Sequence, residues 1–195
     1  MIRSGFFKSV VALEDGRDQV TGFHMAGEVL GMDGLDTECH AADVTALEDS
    51  EVCIIPRARL NDPALQRSLC KVMSRELARD HGVMLLLGSM RSEERLATFL
   101  LNLSHRLVAR GFSAHEFHLR MTREEIGSYL GLSLETVSRL FSRFHLEGLL
   151  CVAQKHICIR DIDGLRALTG ICPVIGLSRD ARNVRQRTES RPAAV

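Results

Sequence analysis

Between Thr122 and Phe144 the chain reads TREEIGSYLGLSLETVSRLFSRF, two short apolar-periodic segments interrupted at Gly131 and restarted at Ser133. Thr122 with Glu125 three residues on is a capping box, in which each side chain satisfies the other's backbone N–H at a helix start. Ile126, Tyr129 and Leu130 then fall on one face of the helix that follows. Gly131 supplies a turn that residues with a Cβ enter only with strain. Ser133 caps a second helix, whose apolar stripe is Val137, Leu140, Phe141 and Phe144. Two capped helices joined by so short a turn predict a helical hairpin with its own core.

The second helix carries more than its core needs. Glu135, Ser138 and Arg139 stand at i, i+3 and i+4, so they project together from the opposite face near the helix N-terminus. A helix-turn-helix lays that end of its second helix in the major groove of double-stranded DNA. There Arg suits guanine O6 and N7, Glu accepts from cytosine N4, and Ser bonds a base edge or a phosphate. The candidate DNA contacts are Glu135, Ser138 and Arg139, with the hydroxyl residues Thr122, Ser133 and Thr136 at the two helix starts. GLLCVAQKHICIRD follows and reads as two strands around Gln154-Lys155, the wing of a winged helix. The alternative is a surface Glu–Arg pair on an ordinary hairpin; box, turn, cap, polar face and wing in this order favour DNA.

The charge distribution points the same way. The 195 residues have a formal net charge of zero, yet residues 1–62 hold 5 Lys/Arg against 12 Asp/Glu, a net −7, and the remainder holds the balancing +7. A basic back half is compatible with nucleic acid. No apolar run reaches the roughly 18 residues of a membrane span, and Lys8, Glu14 and Asp15 interrupt any secretory core. We therefore expect a cytoplasmic protein with no membrane partner. The six cysteines contain no CxxC pair and read mostly as small buried hydrophobes.

In front of the hairpin, residues 6–24 predict two strands around Glu14-Asp15-Gly16. Val44, Ala46, Val52 and Ile54 predict two more around Glu48-Asp49-Ser50. Four strands make a thin core, so we expect the N-terminal part of a larger β domain to lie outside this chain. Asn61, Asp62 and Pro63 predict a helix start, and the helix runs to about Met90. Its heptad positions are Cys70, Leu77 and Met84, with Met73, Asp80 and Leu87. The stripe is either the seam of a parallel homodimer or the inner face of one amphipathic helix, and its length and position favour the seam. Asp80 would then either face its own copy, weakening the dimer by repulsion, or lie solvated on the rim. A second amphipathic helix follows, with Ser92 as candidate cap, Leu96, Phe99, Leu103 and Leu107 on one face, and Gly111 at its end.

With VTGFHMAGEVLGMDG, SEERLATFLLNLS and MTREEIGSYLGLSLETVSRLFSRF in view, the chain resembles the Crp/Fnr transcription regulators over nearly its whole length, and the Fnr branch in particular. The resemblance implies an α+β fold: a partial antiparallel β-roll like a cyclic-nucleotide-binding domain at 1–62, a dimerisation helix at 63–90, a winged helix-turn-helix at 91–170 and a basic tail at 171–195. It implies an oxygen- or redox-responsive regulator that binds a TTGAT-type palindrome as a homodimer and works with RNA polymerase. It makes Glu135, Ser138 and Arg139 the base readers. The cyclic-AMP branch has Arg-Glu at the start of this helix and Gly at the place of Ser138; here Leu134 replaces that Arg. Cyclic-nucleotide sensors hold phosphate with an Arg-Ser/Thr-Ala step after a Gly-Glu turn, and here Gly27-Glu28 is followed by His40-Ala41-Ala42. A guanidinium fork is missing there, which argues against a nucleotide. Sensing of haem or a cyclic nucleotide on the same scaffold is the alternative.

The resemblance also implies a 4Fe–4S cluster held by an N-terminal cysteine run and by one cysteine matching Cys53 in SEVCIIP. Such a cluster needs about four thiolates. The run is not in this sequence, so the chain is either a truncated form or fragment, which the thin β domain favours, or a cluster-free relative; we expect no cofactor in the chain as given and a ligand role for Cys53 only in an N-terminally extended form. Cys39-His40 and Cys151…His156…Cys158 match no zinc spacing. No nucleophile–base signature or phosphate loop appears, and we expect no enzyme. The tail arginines are expected to be disordered and solvated.

Overall fold

The computed structural model describes residues 1–37 and 39–169. The basic tail expected from residue 171 onward lies outside them.

The chain opens with strand β1 (Ile2–Ser4), which the sequence reading did not foresee. β2 (Phe6–Ala12) and β3 (Asp18–Met25) form the expected hairpin, with Phe6 opposite Met25 and Val10 opposite Val20. Their alternation turns Phe6, Val10, Val20, Phe23 and Met25 inward. Gly16, at φ +82°, makes the turn, donating to the Leu13 carbonyl.

The next two strands correct the reading. β4 (Asp43–Ala46) and β5 (Glu51–Val52) do not pair with each other. β4 adds to the free edge of β2 in the order β3-β2-β4, while β5 pairs with β1 in a separate ribbon. Ile54, expected in the second of these strands, lies beyond β5 and is 84% exposed. Alternation marks a strand and its two faces but carries nothing about which edge the strand will meet.

Helix α1 (Pro63–Ser89) starts as its sequence predicts: the Asp62 side chain accepts from Ala64 N–H at 2.8 Å and Pro63 takes the first position. Gly82 and Leu86 face the rest of the chain. Helix α2 (Ser92–Val108) begins one residue earlier than expected, and this is a correction. Arg91 is the N-cap, its N–H held by the Glu94 carboxylate at 3.0 Å, and Ser92 is already helical. Leu96, Phe99 and Leu103 are buried as expected.

A short strand β6 (Glu116–His118), also missed, leads into α3 (Arg123–Leu130) and α4 (Leu134–Leu146). β7 (Leu150–Ala153) and β8 (His156–Ile159) are the wing, and β6 pairs with β8 to give the order β6-β8-β7. α5 (Ile162–Leu168) closes the described chain, with Leu165 buried and Asp161 accepting from Gly164 at its start. The fold is α+β. One apolar core runs through it from the β2–β3 hairpin to the wing. At its middle, the rings of Phe23, Phe99 and Tyr129 pack with centroids 5.2 to 6.0 Å apart, joining β3, α2 and α3. No described helix is long and apolar enough to cross a membrane.

Candidate nucleic-acid interface

The helix pair is built by the local signals named above. The Thr122 hydroxyl accepts from Glu125 N–H at 3.1 Å, and a Glu125 carboxylate oxygen accepts from Thr122 N–H at 2.7 Å. Gly131 takes φ +63°. The Ser133 hydroxyl accepts from Thr136 N–H at 3.2 Å and lies 3.1 Å from the Thr136 hydroxyl. Ser133 and Thr136 therefore spend hydroxyl bonds on the cap. Gly127 escaped the sequence reading: a Cβ there would stand 2.6 Å from the Leu132 carbonyl oxygen. The close approach of α3 to the turn requires glycine, and a glycine four residues before the turn glycine was the available signal.

Val137, Leu140, Phe141 and Phe144 bury one face of α4. Glu135, Ser138 and Arg139 lie exposed together on the other, with Leu134 beside them. The backbone N–H groups at the helix start, the Ser133 hydroxyl and the charge of Arg139 hold the Glu135 carboxyl below its ordinary value, so it is an anion ready to accept. Among the described residues no hydrogen bond or ion pair holds the Arg139 guanidinium. Arg143, one turn on, differs: it is bound to Glu147 at 2.7 Å and Glu93 at 2.5 Å. The arginine near the helix N-terminus is thus exposed to solvent while the one near its end is tied into the fold.

The wing is pinned to the same unit. The Arg123 guanidinium lies 3.2 Å above the Phe141 ring centroid and donates to the Gln154 carbonyl at the wing turn. Its burial pushes its pKa down to about 10. It still carries its charge near neutrality, and a cation over an aromatic face is attracted to it.

The unit is docked on the β region by polar contacts. Lys8 of β2 bonds Glu125 at 2.7 Å, using the carboxylate that also completes the capping box. Val20 N–H donates to the Ser128 hydroxyl at 2.8 Å, and Arg120 pairs with Glu48 at 2.8 Å. Beside them lies a feature the sequence did not announce. Glu28, 7% exposed in the turn after β3, accepts from Arg79 of α1 and from Arg106 of α2, and from Arg110 just beyond α2, at 2.7 to 3.2 Å. Burial opposes its charge, and the guanidinium groups of Arg106, Arg79 and Arg110 outweigh that and hold its carboxyl below the ordinary value. Its Gly-Glu turn is thus committed to arginines of this same chain.

On the outer face of α1, Cys70, Met73, Leu77, Asp80, Met84 and Leu87 are all exposed, Leu77 at 58% and Met84 at 61%. Cys53 is exposed at the end of β5, its thiol donating weakly to the Ile54 carbonyl. Among the described residues no three His, Cys, Asp or Glu side chains close on a common point, there or elsewhere. The residues present around Cys53 therefore do not fit a four-thiolate cluster.

Residues 1–66 match the cyclic nucleotide-binding domain and residues 94–168 the Crp-like helix-turn-helix domain. The transcriptional regulatory protein Btr of Bordetella pertussis is 49% identical over 174 residues, covering 87% of this chain and 72% of that protein. The chain belongs to the Crp/Fnr family. The fumarate and nitrate reduction regulatory protein of Salmonella typhimurium is 47% identical, over 87% of this chain and 70% of that one. The structure of FixK2 from Bradyrhizobium japonicum superposes with a TM-score of 0.78 at 34% identity, covering 89% of this chain and 87% of that chain. This Crp/Fnr chain is a DNA-binding transcription regulator, and α3 and α4 are its helix-turn-helix.

Proposed function

We propose that this regulator binds a TTGAT-type palindrome as a homodimer and controls genes in response to oxygen or redox state. The observation that carries the DNA half is the exposed trio Glu135, Ser138 and Arg139, with Arg139 unpaired, at the start of a helix whose other face is buried. The dimer is supported by the uncovered apolar stripe of α1; joining two such stripes removes it from water. We divide the chain accordingly into a β-roll at 1–62, a dimerisation helix at 63–90 and a DNA-binding unit at 91–170. The name of the Salmonella relative, a fumarate and nitrate reduction regulatory protein, supports regulation under anaerobic conditions; activation, a cytoplasmic location and RNA polymerase as partner belong to the same proposal. A cyclic nucleotide or haem is the competing signal, and the domain matched at 1–66 bears on the nucleotide alone. Against a nucleotide stand the three arginines on Glu28 and the lack of an Arg at His40-Ala41-Ala42.

Footprinting on the full palindrome and on an isolated half-site tests the reading. Two-fold symmetry predicts much tighter binding to two half-sites one helical turn apart. Equal affinity for the half-site would reject the dimer. The absorbance of protein purified without oxygen, and calorimetric titration with cyclic nucleotides, separates the signals.

A further inference from the structure

Cys151 lies on β7 and Cys158 on β8 of the wing. The wing buries one face: Leu150, Ile157 and Ile159 are in the core. Side chains alternate across a strand, so Cys151, His156 and Cys158 share the opposite, half-exposed face. In the β7–β8 register Cys151 is the direct cross-strand partner of Cys158. Directly opposed residues in an antiparallel pair have Cα atoms about 4.5 or 5.5 Å apart, within the roughly 4.4–6.8 Å that a disulfide spans. Both thiols are free. His118 pairs with His156 on the neighbouring strand, and His156 Nε2 lies 2.9 Å from a Glu116 carboxylate oxygen. That face thus carries imidazole bases beside the thiols. Its residues do not converge as metal ligands, because His156 is turned to Glu116 and no three such groups meet.

We propose that Cys151 and Cys158 are a reversible oxidation site, closing a disulfide across the wing in response to a peroxide. One thiolate attacks a peroxide oxygen, the O–O bond breaks, and a sulfenic acid forms as the leaving hydroxide takes up a proton to become water. The second thiol attacks the sulfenic sulfur, the S–S bond forms, and the hydroxyl leaves as a second water. Two thiols and one hydrogen peroxide thus give one disulfide and two waters, and a dithiol reverses it. The bridge draws the two Cβ atoms to about 3.8 Å. The turn Gln154-Lys155 lies two residues beyond, at Gln154 φ +56°, and is the part of the wing that Arg123 holds. Tightening the hairpin there re-aims Lys155, an exposed cation at the wing tip, and the phosphate contact proposed for Lys155 is lost with it.

The test uses the full chain with Cys39, Cys53, Cys70 and Cys172 replaced by serine, treated with hydrogen peroxide and then with dithiothreitol. The expected product is a monomer on a non-reducing gel, lighter by two hydrogen atoms, with the two cysteines joined in one digest fragment. DNA affinity falls by on the order of tenfold, the salt dependence flattens, and dithiothreitol restores both. Cys151→Ser and Cys158→Ser each remove the response while leaving the reduced affinity unchanged. Sulfinic acid, adducts on single thiols or no reaction would overturn the site. So would stoichiometric zinc that shields both thiols from alkylation. A formed disulfide with unchanged affinity and salt dependence would overturn the regulatory role.

Discussion

Glu28 and Arg106 share an ion pair 3.0 Å long that binds the turn after β3 to helix α2, with Arg110 bound to the same carboxylate at 2.7 Å. Arg79 of α1 reaches it at 3.2 Å. One buried anion therefore ties the β region, α1 and the end of α2 that leads to the helix-turn-helix. Breaking such a pair strands buried charge, so Glu28→Gln should destabilise the fold by about 3–5 kcal/mol. Urea unfolding checks this, and an unchanged midpoint would show the arginines finding water instead.

Acid should loosen the same junction. Burial pushes His24 down to about 4 from an ordinary 6.5, against the opposing pull of Glu28. Between those values an unfolded chain takes up a proton that the folded one refuses. Stability present above pH 6.5 is therefore lost as pH falls toward 4, by up to about 3 kcal/mol. Glu28, also lowered, adds a loss as pH falls below 4.5. His24→Gln should flatten the slope between pH 6.5 and 4, read from unfolding midpoints at stepped pH.

Arg139 and Arg143 should behave oppositely. Arg139→Ala should cost about 1–3 kcal/mol on the cognate palindrome and little on random DNA. Arg143→Ala removes pairs to Glu93 and Glu147 and should shift stability by less than about 1 kcal/mol, with discrimination intact. Ser138→Gly with Leu134→Arg should move preference toward the site of the cyclic-AMP branch. Competition binding at two salt concentrations measures all three. Equal loss of cognate and random binding in Arg139→Ala would make Arg139 a phosphate contact.

Gly127→Ala drives a methyl to 2.6 Å from the Leu132 carbonyl oxygen, which is backbone and cannot swing away. A destabilisation of about 1–3 kcal/mol is expected from such overpacking. Thermal unfolding reads it, and a neutral result would mean the hairpin opens freely.

The α1 stripe predicts two further results by sedimentation. Leu77→Glu should abolish the proposed dimer, and Asp80→Ala should tighten it if the two carboxylates face each other. A weaker or unchanged dimer in Asp80→Ala would put that residue on the rim.

The helix-turn-helix was legible because each of its signals is local. Thr122 and Glu125, Gly131, and Ser133 and Thr136 act within one helical turn, so their meaning survives without knowledge of any other element. The stripe on α4 and the polar face opposite it follow from helical periodicity alone. Ser92 failed as a cap because the Glu94 carboxylate reaches the N–H of Arg91, shifting the start by one residue. β1 and β6 were too short to show a period.

What the tertiary structure decided lies at long separation. Glu28 meets arginines 51, 78 and 82 residues away, and Lys8 meets Glu125 117 residues away. β4 joins β2 across its free edge instead of pairing with β5. By itself the sequence determined where α1, α3 and α4 begin, which face α4 buries and which polar residues it leaves outside, since capping and helical periodicity are properties of neighbouring residues. It left open which edge a strand would meet and which counter-charges a buried carboxylate would find. Those choices depend on where the whole packed chain brings a free edge, or a guanidinium, within about 3 Å.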